Sequence, residues 1–468
     1  MKFYNREKEL ELLEKIEKMS ENQAQMTTII GRRRVGKTEL IRHFLQKKPN
    51  SFYFFVEKKK NQPLLEEFTG ILKQKYPFLT NPFKDWNSFF EFIFEMSKKE
   101  KMIAVFDEFQ NFKFVDPSAF STLQKIWDLN YKEAKLNLIL VGSVITLMEK
   151  IFRGSKEPLF GRVNHKIYLE PFAPRVIQNL LGDYNIKKFD DFLNFYTVFG
   201  GIPKYYAELE NREQFKEKQF LKIIEEMFFA GDGVLKEEGF DLLSQEFGKD
   251  YQTYFSILQV IASGNTKSSE IADKAGVPIT AISRYLNTLA DKYKFIKIKS
   301  SIFSNPSKNN RYYLNDHFLI FWFRYIFRFK SLIEIEKYNK VLDFIKKDIG
   351  NLQGFVFEEL VYDFILNEDK NNRFLFSIDG AGNYWDKKGN EIDLVIFNKE
   401  QKKIMFIECK LSAKRINKDA IKNLKEKSKA VKWGNGDRKE YFAVSAIGKI
   451  DKKIKFELEQ QGVIIYEF

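Results

Sequence analysis

At 468 residues the chain exceeds one ordinary domain, and length alone sets an expectation of about three. Its 44% hydrophobic content supports packed cores, while one cysteine excludes an intrachain disulfide framework and a cysteine-rich zinc site, and three histidines leave little for histidine-based metal chemistry. A net charge of +14 suits a polyanionic partner such as nucleic acid, although the joint abundance of Lys, Asn, Ile and Phe is also what biased genomic base composition produces.

The charged start, Met1-Lys-Phe-Tyr-Asn-Arg-Glu-Lys-Glu9, has no signal-peptide core. Phe318-Leu-Ile-Phe-Trp-Phe-Arg-Tyr-Ile-Phe327 is too short for a membrane helix and is broken by Arg324. A cytoplasmic chain with no membrane and no disulfide partner is expected. Phe3-Tyr-Asn-Arg-Glu-Lys-Glu-Leu-Glu-Leu-Leu13 predicts an amphipathic helix behind an Asn5 cap. Met26-Thr-Thr-Ile-Ile30 reads as a buried strand, and residues 39–46 as a helix with Leu40, Ile41, Phe44 and Leu45 on one face. Between them, Gly31-Arg-Arg-Arg-Val-Gly-Lys-Thr38 matches G-x-x-x-x-G-K-[ST], the P-loop that cradles phosphates. Glycines admit phosphate oxygens to backbone N–H groups, the helix N-terminus faces the anion, Lys37 adds charge, and Thr38 offers a hydroxyl to Mg²⁺. An ATP site formed by Gly31, Arg32, Arg33, Arg34, Val35, Gly36, Lys37, Thr38 and Glu39 is expected.

Ser51-Phe-Tyr-Phe-Phe-Val56 is a second buried strand, followed by helical segments over 64–75 and 86–98. Met102-Ile-Ala-Val-Phe-Asp-Glu-Phe-Gln110 has the form of a Walker B strand. Asp107 is placed to hold Mg²⁺ through its water shell, and Glu108 to orient and deprotonate the attacking water. Leu136-Asn-Leu-Ile-Leu-Val-Gly-Ser143 is a further apolar strand.

The opening F-x-x-R-E-x-E-L, from Phe3 to Leu10, together with the P-loop and Walker B, resembles the archaeal-type ATPases, relatives of the AAA+ and STAND families. That resemblance implies that the opening packs over adenine and that Ser143 senses the γ-phosphate. Pro158-Leu-Phe-Gly-Arg162 resembles the P-L-x-G-R element of these ATPases. It implies that Arg162 stabilises transition-state charge in cis or across the subunit contact of a homo-oligomer; the plain alternative is an arginine on a surface turn. Leu169-Glu-Pro-Phe172 marks the exit from the core. Phe199-Gly-Gly-Ile-Pro-Lys-Tyr-Tyr206 is similar to the G-G-x-P lid element, which implies that Pro203 leans on the nucleotide.

From Tyr251 the grammar changes. Helices over 252–263, 268–276 and 278–289 have helix-turn-helix spacing, and Phe295-Ile-Lys-Ile-Lys299 with Arg311-Tyr-Tyr-Leu314 makes a wing. Thr280, Ser283 and Arg284 are candidates to face a DNA major groove, although winged helices also serve as spacers and docking modules. Tyr313-Leu-Asn-Asp-His-Phe-Leu-Ile-Phe-Trp-Phe-Arg324 resembles the junction of archaeal ATPases that carry a nuclease-like tail, and helices to about Ile349 bridge onward.

Gly354-Phe-Val-Phe-Glu-Glu-Leu-Val-Tyr362 is helical, with Glu358 at the edge of an apolar face and Glu359 grouped with Asp363 on the wetter side. Asn390-Glu-Ile-Asp-Leu-Val-Ile-Phe397 and Lys403-Ile-Met-Phe-Ile-Glu-Cys-Lys410 are strands. The arrangement of Glu358, Asp393, Glu408 and Lys410 resembles the PD-(D/E)xK restriction-endonuclease-like core, departing from it in having Ile392 where the proline stands. The resemblance implies that Asp393 and Glu408, aided by Glu358, hold Mg²⁺, and that Lys410 stabilises charge or positions the nucleophile. Lys414, Arg415, Lys418, Lys422, Lys425, Lys427 and Lys429 suit either a phosphate-tracking surface or a solvated helix.

The expected architecture is α/β: a P-loop ATPase core over 1–172, a helical lid over 173–248, a winged helix over 249–330, and bridging helices with an endonuclease-like domain over 331–468. The expected function is an ATP-hydrolysing switch that acts on DNA through a Mg²⁺-dependent nuclease-like domain. The alternative is a signalling or transcription-regulating switch whose tail binds DNA without cutting it.

Overall fold

The computed structural model describes residues 2–217, 219–248, 251–304, 310–434 and 436–468, so the expected boundary at residue 249 lies outside the described residues. The chain divides into two compact units, one comprising Met1–Phe172 with Ile202–Ala207 and the other Ala173–Gly201 with Glu208–Phe468.

The first unit is built on five parallel strands: β1 (Gln25–Ile30), β2 (Ser51–Phe55), β3 (Met102–Asp107), β4 (Leu136–Gly142) and β5 (His165–Tyr168), in the order β2-β3-β4-β1-β5. Residues on β1, β3 and β4 are buried throughout, as expected of a parallel sheet covered on both faces. Much of the abundant phenylalanine lies in this core. Phe54 packs against Phe68 at 4.8 Å and Phe106 at 5.0 Å, and Trp86 meets Phe112 edge-on at 4.7 Å. Each such pair adds about 1 kcal/mol beyond the area it buries. The opening helix spans Glu7–Met19 and is preceded by Arg6 in left-handed geometry, so Asn5 is not its cap. Arg6 takes that position because its guanidinium is drawn inward to backbone carbonyls.

In the second unit, helices Tyr251–Ala262, Ser268–Ala275 and Ile279–Asn287 precede an antiparallel hairpin of β6 (Ile296–Ser300) and β7 (Asn310–Leu314), the arrangement of a winged helix. A separate mixed sheet follows: β8 (Gly380–Trp385), β9 (Glu391–Asn398), β10 (Lys403–Lys410), β11 (Lys439–Ala446) and β12 (Val463–Glu467), ordered β12-β11-β10-β9-β8. β8–β9–β10 pair antiparallel and β10–β11–β12 parallel. The bridge and the Glu358 segment form one 33-residue helix, Tyr338–Lys370, which runs through Gly350 and Gly354. Each glycine costs the helix about 1 kcal/mol relative to alanine. Burial of Val341, Ile345, Leu352, Val356, Phe357, Leu360, Val361 and Ile365 along its length outweighs that cost. Among the described residues no helix is long and apolar enough to cross a membrane.

Arg324 anchors the aromatic segment to this helix. Its Nε and Nη2 donate to Asp348 Oδ2 at 2.6 Å and Oδ1 at 2.9 Å, and Tyr325 OH donates to Oδ2 at 2.9 Å. The guanidinium holds the Asp348 carboxyl down at about 2. A depressed carboxylate pKa adds stability above the unfolded value near 3.9 and loses it as pH falls toward the folded value. Asp348→Asn should therefore cost about 2 kcal/mol at neutral pH. In chemical denaturation, its deficit relative to wild type should shrink as pH is lowered from about 4 to 2.

Candidate functional site

The loop after β1 delivers the helix Lys37–Leu45, whose cap Gly36 has φ 90°, a left-handed geometry that a side chain would strain. Gly31 lies so close to the Leu169 carbonyl that a Cβ there would sit 2.5 Å from the oxygen. Lys37 Nζ donates to the carbonyls of Gly31 at 2.8 Å and Arg32 at 2.9 Å. Behind the loop, the buried Arg6 donates to the carbonyls of Val35 at 3.2 Å and Glu170 at 2.6 Å, with its guanidinium over the Phe172 ring.

Thr38 Oγ1 donates to Asp107 Oδ2 at 2.9 Å, Tyr53 OH donates to the same oxygen at 2.6 Å, and the Glu108 N–H donates to Oδ1 at 2.8 Å. Burial, then the Asp107 charge, raises the Tyr53 phenol, which therefore stays a proton donor. Glu108 is left-handed at φ 54°, a sparsely populated geometry for a side-chain-bearing residue. Its Oε2 accepts from Ser143 Oγ at 2.7 Å and from the Gln110 amide. Because β4 lies between β1 and β3, Ser143 at its end falls between the P-loop and the acid pair. Thr38, Asp107, Glu108 and Ser143 are thus brought together.

Other expected residues sit differently. Glu39 is exposed and 3.8 Å from Arg42, while Arg32, Arg33 and Arg34 are half-exposed along the loop. Pro203 Cγ lies 4.0 Å from where a Gly36 Cβ would be. Arg162 is committed to Asp128, with Nε at 2.9 Å and Nη2 at 2.7 Å, and to the carbonyls of Pro158 and Phe160. That pairing seats it on the helix Ser118–Asn130 instead of at the acid pair. Sequence reasoning missed three residues. Arg6 stood inside the quoted opening motif, Tyr53 was the one hydroxyl in a phenylalanine run, and Gln110 closed the Walker B stretch.

In the C-terminal sheet, Asp393 on β9 and Glu408 on β10 face each other, and Asp393 Oδ2 accepts from the Cys409 N–H at 2.7 Å. Lys410 Nζ pairs with Glu408 Oε1. Glu408 Oε2 is buried with no hydrogen-bond donor and has the Lys427 ammonium at 3.8 Å. Glu358 and Asp393 both titrate above the ordinary carboxylate range, Glu358 through burial and then Asp393, Asp393 through burial and then Glu408. Glu359 lines the same cavity as Asp363, as expected, but it is paired there and not simply solvated. It accepts from Lys297 and lies 3.2 Å from His317 Nε2, because a 100° helical step turns it toward β6. Burial raises the Glu359 pKa, and the His317 bond and Lys297 charge more than offset this, holding it below the usual range.

Among the described residues, no three His, Cys, Asp or Glu side chains form a group able to hold a metal ion by themselves. Mg²⁺, however, needs only one or two carboxylates beside substrate and water oxygens. The Thr38–Asp107 oxygen pair fits that requirement, as does the Asp393–Glu408 pair with its orphaned buried oxygen.

A parallel β2-β3-β4-β1-β5 sheet with a P-loop after β1 and an acid pair after β3 is a P-loop ATPase fold. Residues 3–209 match a family described as an ATPase domain predominantly from Archaea, and residues 322–424 match one of archaeal and bacterial proteins of unknown function. An uncharacterised protein of Methanocaldococcus jannaschii is 30% identical over 463 residues, 98% of this chain and 97% of the relative. The chain belongs to this family of archaeal-type ATPases. An ATP-binding protein of the same organism is 54% identical over 46 residues, 10% of this chain and 75% of that protein. A Walker-type ATPase of Pyrococcus abyssi shares the fold, with 19% identity and a TM-score of 0.52 over 69% of this chain and 96% of its own.

Tyr53→Phe removes one of the donors that orient Asp107 without altering packing. The Mg²⁺ concentration giving half-maximal binding of a fluorescent ATP analogue should rise about tenfold, with nucleotide affinity at saturating Mg²⁺ unchanged.

Proposed function

We propose that the chain binds and hydrolyses ATP at Gly31–Thr38 and acts on DNA through the Asp393–Glu408–Lys410 constellation. The convergence of Thr38 and Tyr53 on Asp107, and of Ser143 and Gln110 on Glu108, carries the first half of this reading. In it, Lys37 and the loop N–H groups hold the phosphates, and Thr38 and Asp107 hold Mg²⁺. Both side-chain donors to Glu108 take Oε2, so Oε1 is the oxygen that receives the proton of the attacking water. When bound, Mg²⁺ supplies charge neutralisation at the phosphates.

For the second half, Asp393 and Glu408, with Glu358 beside them, would hold Mg²⁺, which polarises a phosphodiester. Lys410 carries the compensating positive charge. Thr280, Ser283 and Arg284 are exposed on Ile279–Asn287, which supports a DNA-facing role for that helix.

Lys37→Ala should abolish ATP binding, whereas Glu108→Gln should keep binding and lose turnover by about a hundredfold or more. Unchanged hydrolysis in Glu108→Gln would remove the base assignment. On the DNA side, wild type should cut plasmid or linear DNA with Mg²⁺ and ATP, and Asp393→Ala should not. Equal inactivity of both, with ATP and with a non-hydrolysable analogue, leaves a DNA-binding switch that does not cut.

A further inference from the structure

The hairpin β6–β7 has two chemically distinct faces. Register pairs Lys297 with Tyr313 and Lys299 with Arg311, so these four side chains share one face, while Ile296, Tyr312 and Leu314 on the other are buried. A wing that reads DNA presents its basic face to solvent. Here that face is turned to the C-terminal sheet and fixed there. Ile302 N donates to the Asn383 carbonyl at 2.9 Å, and Ser301 Oγ both donates to the Trp385 carbonyl at 2.7 Å and accepts from the Trp385 N–H at 2.8 Å. Arg311 pairs with Glu391 at 2.6 Å while stacking on the Trp385 ring at 4.5 Å, and Phe303 packs on Phe397 and Trp433. Polar, ionic and apolar contacts all specify the same position.

The basic face meets a cavity of about 460 Å³, lined by Lys297, Lys299, Glu358, Glu359, Asn383 and Asp393. That lies within the roughly 300–1,000 Å³ of ligand-binding cavities. The two lysines are not equivalent. Lys297 is neutralised by Glu359, which His317 also engages. Lys299 donates to an uncharged acceptor, Asn383 Oδ1, at 3.2 Å, and stands 4.0 Å from Glu359. Its side chain is about two-thirds withdrawn from solvent, and its ammonium, over the Tyr313 ring at 5.3 Å, shares Glu359 with Lys297, so its charge is incompletely compensated. Asn383 in turn donates to the Asp393 carbonyl at 2.6 Å, which ties the lysine's partner to the carboxylate strand. A half-buried cation beside carboxylates suited to Mg²⁺ is what a phosphodiester needs on its far side.

We propose that β6 completes the C-terminal site, with Lys299 as the positioning residue that grips a backbone phosphate of a nucleic-acid strand in the Lys297–Lys299–Glu358–Asp393 cavity. The inference rests on the reading of Asp393 and Glu408 as a metal-assisted phosphodiester site and adds its substrate-holding half. The wing then serves substrate capture beside β9, and base reading is left to the exposed helix Ile279–Asn287.

The test measures binding of a labelled single-stranded oligodeoxynucleotide to the full chain by fluorescence anisotropy across a salt series, with Ca²⁺ replacing Mg²⁺. Lys299→Gln should weaken binding about tenfold and flatten the salt slope by roughly one, while Lys299→Arg retains most of the affinity and both keep wild-type ATP turnover. In the wild-type chain, which removes any question of variant folding, acetylation of Lys299 read by mass spectrometry should slow severalfold with the oligonucleotide and not with dAMP. Wild-type affinity and slope in Lys299→Gln, no binding by wild type, or acetylation unchanged by the oligonucleotide each overturns the proposal. Weakened binding by Lys299→Gln in a chain that never cuts DNA removes the nuclease reading alone. Normal binding by Lys299→Gln in a chain that does cut removes this inference alone.

Discussion

Three hydrogen bonds into the Asp107 carboxylate organise the first unit. Thr38 arrives from the P-loop helix, Tyr53 from β2, and the Glu108 N–H from the turn after β3. Each donor belongs to a different element, so one buried acid fixes the P-loop against two neighbouring strands. The left-handed Glu108 follows from this. Bending its N–H back to Asp107 directs the next carboxylate toward β4, where Ser143 meets it. Strain at one residue thereby converts two adjacent acids, which would point to opposite faces of a strand, into two differently partnered groups.

The second unit solves a similar problem on a helix. Glu358 and Glu359 are consecutive, and the helical step of about 100° sends them to different partners. Glu358 enters the field of Asp393 and Glu408, while Glu359 ties Lys297 and His317. Since Lys297 lies on β6, the long helix both contributes to the carboxylate set and holds the hairpin in front of it. His317 Nδ1 lies 2.9 Å from the Tyr196 carbonyl, so the helix Phe189–Phe199 joins the same network.

What could be read from the sequence was what is local. β1, the P-loop and its helix follow from apolar runs and glycine placement within about 20 residues, and β9 and β10 from strand-length apolar runs. The residues that complete both sites are long-range partners without periodicity. Tyr53 is 54 positions from Asp107, and Lys297 is 62 from Glu359. Arg162 shows the limit in the other direction, since a motif named the residue but its partner, Asp128, lay on a distant helix. The bridging helices and the Gly354 segment were each legible as helix, but their fusion into one helix through Gly350 and Gly354 rests on burial along its whole length, which outweighs local propensity.

The basic composition takes on a more definite meaning in this setting. Many lysines of the chain sit in exposed pairs such as Lys429–Glu426, worth little to stability and carrying little information. Those on β6 are different. They alternate with Ile296, buried with Tyr312 and Leu314 on the opposite face, and with Ile298, which is exposed, so the hairpin cannot turn its lysines outward without exposing Ile296, Tyr312 and Leu314. The strand's two-residue period therefore couples packing of the winged helix to the direction of its charge. That coupling, together with the Ser301–Trp385 and Arg311–Glu391 contacts, makes the positive face a fixed wall of the Asp393 cavity, so charge is placed there by the fold itself.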